Sequence, residues 1–145
     1  MFTKETAVIV LAAGLGTRMN SILPKVLHPI AGRPMILKLL DSLIQIDPVR
    51  IVLVIGPDME PVSEVIEAAG YNFEIVIQQD RLGTGHAVQQ AETVLSWFKG
   101  NVLVLYGDSP LITSNTLENM LDSRSQSNDP AVVVLGFRAS DGGEY

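Results

Sequence analysis

The sequence predicts a doubly wound α/β domain built on a mostly parallel sheet. Two observations carry that expectation. Apolar, β-branched runs recur five times: AVIVLA from residue 7, RIVLVIG from 50, FEIVIQ from 73, NVLVLYG from 101 and AVVVLGF from 131. Three of them are almost continuously apolar, as strands buried on both faces are. The stretches between the runs carry helix start and stop signals, so the expected order is βαβαβαβαβ.

Each helix has its own punctuation. Pro34 opens PMILKLLDSLIQI, which stops before Asp47-Pro48, and Pro61 opens PVSEVIEAA, which Gly70 ends. GHAVQQAETVLSWF reads as one helix ending near Gly100, with Trp97 and Phe98 as core anchors at its end. Thr113 or Ser114 caps NTLENMLDS. No internal repeat or low-complexity tract interrupts the pattern, and SRSQSNDP, residues 123–130, is a loop too short to link two domains.

Length and composition fit this fold. The 145 residues suit one domain with a real core, and 47% hydrophobic against 18% charged residues place the chain far from disorder. Without cysteine there is neither a disulfide framework nor a thiolate metal site. No apolar run reaches the ~18 residues of a membrane span, and the start lacks a basic leader and a cleavage site, so the expectation is a soluble, cytoplasmic protein with no membrane partner. A net charge of -6 argues against nucleic acid. Yet residues 6–40 hold Arg18, Lys25, Arg33 and Lys38 and no acid, which points to a small-anion site within an acidic protein.

In a sheet of this kind ligands bind beyond the carboxyl ends of the strands. The first such segment is AAGLGTRM. Gly14 and Gly16 let backbone amides approach phosphate oxygens, and Arg18 and Lys25 supply positive charge. The loop matches neither the dinucleotide fingerprint nor the P-loop: Met19 stands where a third glycine belongs, and no Gly-Lys-Ser/Thr ends it. Pro24, Pro29 and Pro34 stiffen LPKVLHPIAGRP, which holds Lys25 in place. After the third run, Gln78 offers a donor and an acceptor suited to a base edge, and Thr84 either caps a helix or meets a ligand hydroxyl. After the fourth, Asp108 ends a buried run where a carboxylate could hold Mg²⁺ or simply favour a turn. His28 and His86 lack a nucleophile nearby and read as packing or loop residues.

VIVLAAGLGTRM, LPKVLHPIAGRPM, QQDRLGTGHAVQQA and LYGDSPLI together resemble the sugar-nucleotide nucleotidyltransferases, or pyrophosphorylases. More closely, the LGTGHA and KVLH elements are similar to the N-terminal uridylyltransferase domains of bifunctional bacterial enzymes that make UDP-N-acetylglucosamine. The resemblance implies a Rossmann-like nucleotide-diphospho-sugar transferase fold, with residues 1–145 as its nucleotide-binding part, ending before the sugar-binding half.

The same resemblance implies site roles. Leu11, Ala12, Ala13, Gly14, Gly16 and Thr17 would wrap the nucleotide, and Arg18 and Lys25 would act on its phosphates. Gln78 would read uracil, Gly83 and Thr84 would complete the base pocket, Tyr106 and Gly107 would lie by the sugar or ribose, and Asp108 would hold Mg²⁺. The implied reaction joins UTP and N-acetylglucosamine 1-phosphate into UDP-N-acetylglucosamine and pyrophosphate, in cell-wall precursor synthesis. Alternatives are a transferase for another nucleoside triphosphate or sugar phosphate, and a nucleotide-binding module without turnover. A sheet edge or apolar face left open after the fifth run predicts self-association or marginal stability.

Overall fold

The first four apolar runs form strands, each beside a neighbour that completes its ladder. A computed structural model describes residues 5–126, 128–136 and 138. In chain order the elements are β1 (Thr6–Leu11), β2 (Pro29–Ile30), β3 (Arg33–Pro34), α1 (Met35–Leu43), β4 (Arg50–Ile55), α2 (Glu60–Ala68), β5 (Glu74–Ile77), α3 (Thr84–Gln90), α4 (Glu92–Leu95), β6 (Asn101–Tyr106) and α5 (Ser114–Arg124). The main sheet runs β5-β4-β1-β6 with every pair parallel, which is the expected architecture.

The sheet buries both faces at its centre. On one face Val8, Val10, Leu53 and Leu105 pack against Leu39, Leu40 and Leu43 of α1, Ile66 of α2 and Leu117 of α5. On the other, Ile9, Val52 and Val54 meet Ala87 and Ala91, with Val94 and Leu95 of α4 beside them. Covering both faces is what made the runs continuously apolar. At the β6 edge the alternation returns: Leu103 and Leu105 are buried while Val102, Val104 and Tyr106 are exposed.

Several expectations need correction. The run from 131 forms no strand among its described residues, and Val132, Val134 and Leu135 stand exposed; Phe137 lies outside the described residues. Apolar patterning reports a tendency to be buried, whereas a strand exists only with a ladder partner, and this run has none among the described residues. The stretch expected as one long helix is two, α3 and α4, meeting at Ala91. Trp97 is no core anchor: it is 61% exposed, with the Arg50 guanidinium 4.5 Å above its ring. The proline-rich connection contains a hairpin, whose two-residue turn places Ala31 at φ +50° and Gly32 at φ +78°, as a type I′ turn requires. Thr113 caps α5 as expected, its side chain accepting from the Thr116 amide.

Candidate functional site

The strand order sets the place of the site. The chain steps outward from β1 to β4 to β5 and then returns to lay β6 on the other side of β1, and this reversal leaves a crevice beyond the carboxyl ends. The crevice is a cleft of about 260 Å³. Leu11, Ala13 and Gly14 line it from β1, Tyr106 and Asp108 from β6, and Gln78, Arg81, Gly83, Thr84 and Ala87 from the third loop and α3. A short helical turn, Lys25–Leu27, adds Lys25 and Val26.

Two of the expected residues support the cleft from beneath. The buried Ala12 donates its amide to the Val54 carbonyl at 2.8 Å, and Gly107 donates to the Leu11 carbonyl at 2.8 Å. Gly107 faces the core: a Cβ there would stand 3.0 Å from Val26 Cγ1 and 3.1 Å from Ile36 Cδ1. Gly16 also has a steric reason. Its φ is +62°, and a Cβ would stand 2.7 Å from Lys25 Cβ, so glycine lets the loop turn closely over the lysine stem.

The charged centre joins residues far apart in sequence. Lys25 Nζ donates to Asp108 Oδ2 at 2.5 Å, with the side chains 37% and 34% exposed. Arg18 lies elsewhere. Together with Thr17 it sits in an exposed turn, Thr17–Met19, outside the residues that line the cleft and without an ion pair among the described residues.

At the other side of the cleft Gln78 is buried, and its Nε2 donates to the Gly83 carbonyl at 3.2 Å and to His86 Nδ1 at 3.1 Å. A carbonyl only accepts, so the Gly83 contact fixes which end of the amide is NH₂. Oε1 is then the unused acceptor of a residue that lines the cleft. His86, expected as a packing or loop residue, stands against this amide, its Nδ1 3.1 Å from Gln78 Nε2. Gly83 is the N-cap of α3 at φ +104°, where a side chain is strained, and Thr84 is the first helical residue and makes no capping bond. Thr84 therefore stays available to a ligand.

For a divalent metal, Asp108 is the only carboxylate among the described residues lining the cleft. No cluster of three or more His, Cys, Asp or Glu is found among the described residues. A single carboxylate completed by phosphate oxygens and water is a donor set that Mg²⁺ commonly accepts. Sequence reasoning missed Arg81, Val26 and Ala87. Arg81 lay within the QDRLGTG loop already under scrutiny, and its charge was the signal that could have found it.

Known proteins share this frame. The chain is 59% identical over 145 residues, 100% of its length, to the bifunctional protein GlmU of Paramagnetospirillum magneticum. To the bifunctional protein GlmU of Rhodospirillum rubrum it is 53% identical over 141 residues, 97% of its length. It spans 31% of the length of either relative. The solved structure of HddC from Yersinia pseudotuberculosis complexed with GMP-PN superposes with a TM-score of 0.66 at 24% identity, over 82% of this chain and 54% of that one, a likeness of fold. No helix among the described residues is long and apolar enough to cross a membrane. Residues 8–141 match the MobA-like NTP transferase domain, and the chain belongs to that family.

Proposed function

We propose that this chain is the nucleotide-binding part of a uridylyltransferase that joins UTP to N-acetylglucosamine 1-phosphate, giving UDP-N-acetylglucosamine and pyrophosphate in a cytoplasmic route to cell-wall precursors. The observation that carries the proposal is the meeting of Lys25 and Asp108 at 2.5 Å in a cleft floored by a glycine loop, at the reversal of strand order. One opposite charge held beside each group marks where a phosphate and its metal would exchange for them. Kinship with the bifunctional GlmU proteins supports the choice of substrates.

In the proposed reaction a phosphate oxygen of the sugar phosphate attacks the α-phosphorus of UTP. The new bond is O–Pα, the bond between Pα and the oxygen bridging it to Pβ breaks, and that oxygen leaves with pyrophosphate. The nucleophile is already anionic, so no base is required, and the work falls to positioning and charge neutralisation. Lys25 would meet the phosphates as a compact point charge, and Gly14 would offer its amide. Arg18, on its exposed turn, would reach the phosphates only by closing over them. Asp108 would hold Mg²⁺, which as a Lewis acid lowers the cost of charge building on phosphate oxygens. Leu11, Thr84 and Tyr106 would flank the base and ribose. Gln78 Oε1 would accept from uracil N3–H, and cytosine, with an unprotonated N3, would set acceptor against acceptor.

The test is calorimetric titration of the chain with UTP, CTP and GTP, with and without Mg²⁺. Selective UTP binding strengthened by Mg²⁺ is expected, and equal affinity for the three nucleotides would sink the uridylyl assignment. A second reading, binding without turnover, rests on Asp108 being the lone carboxylate among the described cleft residues. Release of pyrophosphate on adding the sugar phosphate to the UTP-bound chain separates the two readings.

A further inference from the structure

The pairing of Lys25 with Asp108 leaves, among the described residues, one other cationic side chain lining the cleft, Arg81. Its Nε donates to the Ala13 carbonyl at 2.7 Å, tying the third loop to the glycine loop. A neighbouring glycine makes room for this reach. A Cβ on Gly56, just beyond β4, would stand 2.2 Å from Arg81 Nη2 and 3.0 Å from Cζ. Three connections leaving adjacent strands therefore meet at one guanidinium.

What the bond restrains is a peptide plane. In a trans peptide the carbonyl oxygen and the following amide hydrogen point in opposite directions, and no described peptide is cis. Holding the Ala13 carbonyl thus also sets the direction of the Gly14 N–H. That amide has no acceptor among the described residues, and Gly14 is exposed where it lines the cleft. With no Cβ on Gly14 and nothing within 4 Å of where one would be, little else opposes rotation of this plane.

We infer that Arg81 is a positioning residue: through the Ala13 carbonyl, and in the space left by Gly56, it fixes the Gly14 amide as a donor to an anionic oxygen of the triphosphate. The inference rests on the nucleotide reading of the cleft and adds to it the residue that preorganises the loop. Arginine suits the task better than lysine, because its planar fork delivers a donor in a fixed direction.

The experiment titrates the wild-type chain and its Arg81→Ala, Arg81→Lys and Gly56→Ala variants with UTP, inorganic triphosphate and uridine, alongside thermal melts and amide NMR spectra. Arg81→Ala is expected to weaken UTP and triphosphate by about tenfold, the scale of one charge-assisted hydrogen bond, and uridine by less than about twofold. Gly56→Ala should reproduce this pattern by displacing the guanidinium, and Arg81→Lys should recover part of the loss. In the ligand-free Arg81→Ala spectrum the Gly14 amide peak should move while that of Gly70 stays. Unchanged triphosphate affinity in a folded Arg81→Ala chain, a loss confined to uridine, or a stationary Gly14 peak would each overturn the inference. A wild-type chain that binds neither UTP nor triphosphate brings down the nucleotide reading itself, a result distinct from these.

Discussion

Two cation–carboxylate pairs of similar length and exposure behave as different objects. Lys25 and Asp108 meet at 2.5 Å with side chains 37% and 34% exposed, and Arg33 and Asp41 meet at 2.6 Å with side chains 42% and 44% exposed. The second pair is a fork: Arg33 Nε and Nη2 reach both Asp41 oxygens, at 2.6 and 2.8 Å, and Tyr71 closes the triangle by donating to Asp41 and accepting from Arg33. The first is one contact between a point charge and one oxygen, facing a cleft. A closed fork clamps β3, α1 and the segment after α2 together, whereas a single contact at a cleft can be exchanged for a ligand.

Titration behaviour marks the same contrast. The bond from Arg33 holds the Asp41 carboxyl below its ordinary range, against the opposing effect of burial, and the bond from Tyr71 adds to the lowering. Arg33 is raised in turn, chiefly by Asp41, and Tyr71 is raised by burial first and by Asp41 second.

The comparison breaks if disabling either pair has the same effect. The largest expected consequence is in Lys25→Met, which should weaken UTP by about 10- to 100-fold, on the scale of a lost charge-assisted contact, while leaving the melting temperature nearly unchanged. A large drop in melting temperature would make Lys25 structural. Next comes Asp108→Asn: Mg²⁺ should no longer strengthen UTP binding, and metal-free binding should hold or improve because Lys25 is released. Retention of the Mg²⁺ effect in calorimetry would remove Asp108 from the metal site.

Smaller effects are expected at the fork. Arg33→Lys loses the planar geometry and should lower the melting temperature modestly while UTP affinity is unchanged. The pH dependence has a definite sign. Because the folded-state pKa of Asp41 is lowered, its stabilising contribution is present above the unfolded value of about 4 and is lost as pH falls through the folded value. Melting curves taken below about pH 4 should therefore fall more steeply with acid in wild type than in Asp41→Asn, and parallel curves would show that the fork adds nothing.

The sheet and the cleft were readable to different depths. Ala7 and Ile51 announced their strands because a parallel sheet covered on both faces demands unbroken apolar runs, and Val102 announced an edge strand whose alternate residues stand exposed. Val132 and Val134 carry the same residue type without a ladder partner among the described residues, and composition cannot supply a partner. Gln78, Gly83, Thr84 and Asp108 stood out as chemistry at strand ends, and the cleft does gather them. Arg81 did not, since its contact is with a backbone carbonyl 68 positions away, and a carbonyl has no residue-type signature. Arg18 shows the opposite case: its position in the motif was plain, but the local turn carries it outward.

The central place of β1 bears on how this chain is made. Thr6–Leu11 is synthesised before both of its neighbours, Arg50–Ile55 and Asn101–Tyr106, the second of which follows far later. At usual synthesis rates of about 5 to 20 residues per second, the most apolar strand waits roughly 5 to 20 s for its second neighbour. During that interval nascent β1 offers two unpaired edges, which makes it the natural place for a chaperone to hold and for premature pausing to cause aggregation.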